Sequence, residues 1–70
     1  MTRERFIEHM RQRFEEAGVA VADSHAWAVA TLTAFLREER ITFGQVGYSW
    51  TAETARELVE EWELAYWEGE

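Results

Sequence analysis

Not one cysteine occurs in these seventy residues, and that absence narrows the folds open to the chain. A domain so short buries only about 60% of the surface its unfolded form exposes. Small domains therefore lean on disulfides, metals, dense packing or self-association. Disulfides and thiolate-held metals are excluded here. Apolar packing remains, and the chain is rich in rings: four Trp, four Phe and two Tyr, each able to bury roughly 150–250 Å². Ten rings are a heavy load for one small core, so some are expected at an interface.

The apolar residues recur with a helical period. Phe6, Ile7, Met10, Phe14 and Ala17 share one stripe behind a Thr2 N-cap, and Gly18 is the stop. A second helix is predicted from a cap at Asp23 or Ser24 to about Glu39. Its broad stripe is His25, Ala28, Val29, Leu32, Phe35 and Leu36, and Ala26, Trp27, Ala30, Thr31 and Ala34 form a second face of mostly small side chains. Apolar character nearly all round marks this helix as the central one. A third helix is predicted from a cap at Ser49 or Thr51 to about Trp67, burying Ala55, Leu58, Val59, Trp62, Ala65 and Tyr66.

Between the second and third helices, Ile41 and Phe43, then Val46, Tyr48 and Trp50, alternate two by two, interrupted by Gly44 and Gly47. That pattern predicts a short β-hairpin or an extended ordered loop lying against the helices, because an isolated hairpin is only marginally stable in water. The fold class is thus mostly α: one small three-helix domain over 1–70, with a hairpin or extended loop at 41–50. No proline, repeat, low-complexity tract or linker suggests a second domain.

Charge is distributed unevenly. Residues 1–37 hold five Arg against four Glu and one Asp, whereas residues 38–70 hold nine Glu against Arg40 and Arg56 and account for the whole net charge of −7. Direct nucleic-acid binding is not expected, since phosphate neutralisation needs clustered cations and the chain has no lysine. Met1 to Arg5 runs straight into charged residues, and no segment approaches the roughly 20 apolar residues of a membrane span. The expected location is the cytoplasm, away from membranes.

Several residue groups invite a catalytic or ligand-binding reading and then fail it. Asp23-Ser24-His25 holds the residue types of a hydrolase triad, but a triad needs converging side chains and neighbours in sequence diverge. His9 and His25 lack the Glu-x-x-His spacing of a carboxylate-bridged metal. Gly44-Gln45-Val46-Gly47 lacks the flanking cations of a phosphate-cradling loop, so turn geometry explains it. Helix-turn-helix recognition fails because the glutamates of the third helix would repel phosphates. No catalytic residue, cofactor or metal is expected.

The distinctive feature is one face of the third helix, where Glu53, Glu57, Glu60, Glu61 and Glu68 surround Leu64 and Trp67. A solvated face explains the carboxylates alone. An apolar pair inside a charged rim points instead to a partner-binding surface, helped by the Glu38-Glu39 pair and the aromatic 41–50 loop, for a protein with a basic patch. In size, charge and lack of catalytic motifs the chain is similar to small acidic phage-encoded inhibitors, anti-CRISPR proteins among them. That resemblance covers no specific residues and implies a non-enzymatic, nucleic-acid-mimicking inhibitor. The rival expectation is a structural or regulatory protein that forms a homodimer through the alanine face of its second helix.

Overall fold

The computed structural model describes residues 1–64. They form three α-helices, α1 (Arg3–Glu16), α2 (Val21–Glu39) and α3 (Ala52–Val59), followed by a π-helical turn over Glu60–Leu64. There is no strand among the described residues, and none of their helices is long and apolar enough to cross a membrane. The expected burial of Ala65 and Tyr66 lies outside the described residues.

Helix α1 is built as its sequence reads. Thr2 Oγ1 accepts the Arg5 N–H at 3.2 Å, closing one of the amides that a helix start leaves free. Phe6, Ile7, Met10 and Phe14 are buried. At the other end Gly18 turns left-handed (φ 104°), which lets the Gly18 and Val19 amides close on the Glu15 and Phe14 carbonyls, both at 3.0 Å. Ala17, expected on the stripe, sits at this cap and is exposed.

Helix α2 departs from expectation in three ways. It begins at Val21, with no side-chain cap at Ala20. Ser24 is instead buried and donates to Glu15 Oε2 across the α1–α2 interface at 2.6 Å, so its hydroxyl serves tertiary packing rather than the helix start. His25, expected on the core stripe, is exposed. Finally, α2 is not the central helix. Both α2 and α3 pack on α1, while Ala26, Ala30 and Ala34 face solvent. One inward face of Ala28, Thr31 and Leu32 is enough to seat α2, and exposed alanine methyls forgo little apolar area.

Arg40 ends α2 in the left-handed region at φ 57°. The Arg40 and Ile41 amides close on the Arg37 and Leu36 carbonyls at 3.2 and 3.0 Å. Residues 41–50 then form an ordered loop of turns rather than a hairpin. Gln45 N–H reaches the Thr42 carbonyl at 3.1 Å, and Gly44 and Gly47 take positive φ of 87° and 101°. The two-residue alternation reports neither pairing nor burial throughout: Ile41, Phe43 and Trp50 turn partly inward, while Tyr48 and, at 95%, Val46 are exposed.

Thr51 caps α3 by accepting the Thr54 N–H at 3.2 Å. Ala55, Leu58 and Val59 complete a core that also holds the four buried residues of α1 together with Ala28 and Leu32 of α2.

Candidate functional site

Two ion pairs tie α1 to α3 and to the π turn that continues it. Arg56 donates to both carboxylate oxygens of Glu16, at 2.6 and 2.9 Å, and Arg13 Nε donates to Glu60 Oε1 at 2.9 Å. On α1, Arg11 bridges Glu8 and Glu15. The hydrogen bond from Arg56 holds the Glu16 carboxyl below its usual range, and Arg11 does the same for Glu8. Most of the acidic groups of α1 are therefore engaged within the molecule.

The outer side of α3 is different. Glu53, Glu57 and Glu61 are exposed, and among the described residues no ion pair reaches any of them. Of the other residues expected on this face, Glu60 is tied to Arg13. Leu64 is half-buried and packs against the core. Trp67 and Glu68 lie outside the described residues.

The displacement of Leu64 follows from the π turn. In a regular α-helix, a residue five positions on lies about 140° around the axis, which would set Leu64 outward from the buried Val59. In π geometry the hydrogen bond runs to the fifth residue, so these two positions stack. Glu63 in the same turn is half-buried and accepts from Thr31 Oγ1 at 3.3 Å.

Beside the unpaired carboxylates lies a cleft of about 180 Å³ between α3 and the 41–50 loop, with Tyr48, Trp50, Phe35 and Trp62 along it and Glu57 and Glu61 among its lining. Two of its walls, Trp50 and Trp62, are braced by neighbouring groups. Trp50 Nε1–H donates to the Gln45 carbonyl at 3.0 Å, and its ring meets the buried Phe6 edge-on at 5.7 Å. Phe43 packs on Trp50 with centroids 4.6 Å apart, and Phe35 meets Trp62 edge-on at 5.6 Å. The sequence already sets the loop aromatics against the helices beside the acidic face; which of them stand next to Glu57 and Glu61 is shown only by the fold.

A larger depression of about 640 Å³ at the α1–α2 corner is lined by Arg13, Glu16, Trp27 and Leu64, among others. Its Arg13 and Glu16 are already committed to α3. Asp23, Ser24 and His25 do not converge, since Ser24 is buried against Glu15 while its neighbours are exposed. No three His, Asp or Glu side chains gather to hold a metal ion among the described residues. Comparison with protein-family models, curated proteins and solved structures finds no match to this chain.

Proposed function

We propose that the chain is a non-enzymatic binding module that docks the outer side of α3 onto a basic surface of another protein. The observation that carries this reading is the contrast between helices: three of the four carboxylates of α1, Glu8, Glu15 and Glu16, sit in ion pairs, whereas Glu53, Glu57 and Glu61 are exposed with no ion-pair partner among the described residues. Unsatisfied like charges on one face cost self-repulsion unless a cationic surface offsets it, and they steer such a surface into contact.

The basic surface we propose is the nucleic-acid channel of a DNA- or RNA-binding protein, which this module would block as the phage-encoded anti-CRISPR inhibitors do.

The test is capture of partners from the native host's lysate with tagged wild-type chain and with the triple variant Glu53→Lys/Glu57→Lys/Glu61→Lys. A nucleic-acid-binding protein held by wild type, released by high salt, displaced by added DNA or RNA and lost in the variant supports the reading. Equal retention by both proteins, or no partner, overturns it. The exposed Ala26, Ala30 and Ala34 on α2 favour a second reading, a self-associating structural or regulatory protein. That reading requires a homodimer whose mass is unchanged by salt.

A further inference from the structure

We infer that the cleft between α3 and the 41–50 loop is the seat of one arginine side chain of the basic partner. The inference rests on the basic-surface reading above and names the point on which docking turns. Three observations converge. The cleft, about 180 Å³, has the dimensions of a single long side chain and is walled by Tyr48, Trp50 and Trp62. Aromatic faces carry negative potential and attract a cation, tryptophan most strongly. Glu57 and Glu61 line the same cleft and have no ion-pair partner among the described residues.

Charge selects among the possible occupants. An apolar side chain would fill the space but strip water from two carboxylates without replacing it. An anion would be repelled by both. A metal ion finds two carboxylates but no cluster of three His, Asp or Glu ligands among the described residues. A guanidinium satisfies every element at once: its plane stacks on the rings, and its fork of N–H groups donates to carboxylates in a way a lysine ammonium does not match. The Trp50 wall is braced before binding by its hydrogen bond to Gln45 and by Phe6, so little of its ordering cost falls on the encounter.

The experiment is an NMR titration of the full chain with Nα-acetyl-arginine amide and, separately, with its uncharged isostere Nα-acetyl-citrulline amide, following the indole N–H signals of Trp50, Trp62 and Trp27. The expected result is saturable movement of Trp50 and Trp62 with Trp27 still, and citrulline binding about tenfold weaker. In Glu57→Gln/Glu61→Gln, both substitutions lying at exposed positions, that preference should shrink severalfold, to what the rings alone supply. Equal binding of the two probes, no movement of Trp50 and Trp62, or a preference undiminished in the double variant overturns the inference. Its failure is distinguishable from failure of the basic-surface reading. A cleft blind to arginine, with partner capture still lost in the triple lysine variant, leaves the acidic face as the docking element and removes only the cleft.

Discussion

Arg56 and Glu16, forty positions apart, meet through contacts of 2.6 and 2.9 Å, and one turn away Arg13 and Glu60 make the same bridge with its polarity reversed. Higher numbers on α1 pair with lower numbers on α3, so the two pairs fix an antiparallel approach. Each also penalises a slip, since a shift of one turn would bring like charges together.

Reversing one partner should therefore destabilise the fold, and reversing both should restore it. Arg56→Glu sets a second carboxylate against Glu16 and lowers the urea midpoint. Glu16→Arg combined with Arg56→Glu recovers most of that loss. A double variant no better than the sum of its parts would show that the pair contributes nothing.

Acid should weaken the protein through the same contact. The Glu16 carboxyl is held below its usual range by the hydrogen bond from Arg56, and Glu8 by that from Arg11. A depressed carboxyl contributes stability that is present above the unfolded-state value and lost as pH falls through the folded-state value. The thermal midpoint is thus expected to fall with pH below the ordinary glutamate range. In a carboxyl-carbon NMR titration, Arg56→Gln should move the Glu16 midpoint upward and leave Glu8 where it was.

The left-handed residue closing α2 is the simplest place to gain stability. Arg40 adopts φ 57°, a region that costs an L-residue about 1–2 kcal/mol and glycine almost nothing. After the extra freedom glycine gives the unfolded chain, Arg40→Gly should stabilise by about 0.5–1 kcal/mol in urea unfolding. At Gly18, with φ 104° and open space where a Cβ would sit, Gly18→Ala should cost about 1 kcal/mol through backbone strain alone.

Phe6 holds the loop to the core, with edge-on contacts to Phe43 at 5.4 Å and Trp50 at 5.7 Å. Phe6→Leu keeps an apolar side chain and removes both ring pairs, each contributing about 0.5–1.5 kcal/mol. A loss of about 1–3 kcal/mol is expected, with red-shifted Trp50 emission as the loop loosens. Unchanged emission would mean that the loop is held elsewhere.

The sequence was most legible where the signals are local. Thr2, the stripe Phe6-Ile7-Met10-Phe14 and Gly18 act within one helix, and α1 follows them. The start of α2 was misread because the hydroxyl of Ser24 serves Glu15, nine positions away on another helix. Its place in the fold was misread because an apolar circumference measures average character and cannot say which neighbours exist. On the outer face of α3, the exposure of Glu53, Glu57 and Glu61 followed from periodicity, whereas the retreat of Leu64 depends on a π turn that no period of 3.6 describes. Which loop aromatics stand beside Glu57 and Glu61 in the cleft only the assembled molecule reveals.

That wide turn also bears on how the chain tolerates changes of length. A π turn is an α-helix carrying one surplus residue. Deleting a residue between Glu60 and Leu64 would let the helix close to ordinary spacing, with Val59 and Leu64 now four apart and still on the same side. A deletion within Ala52–Val59 has no such slack and would swing the following residues by about 100°. Length variants are thus expected to accumulate at the turn and to be purged from the helix before it.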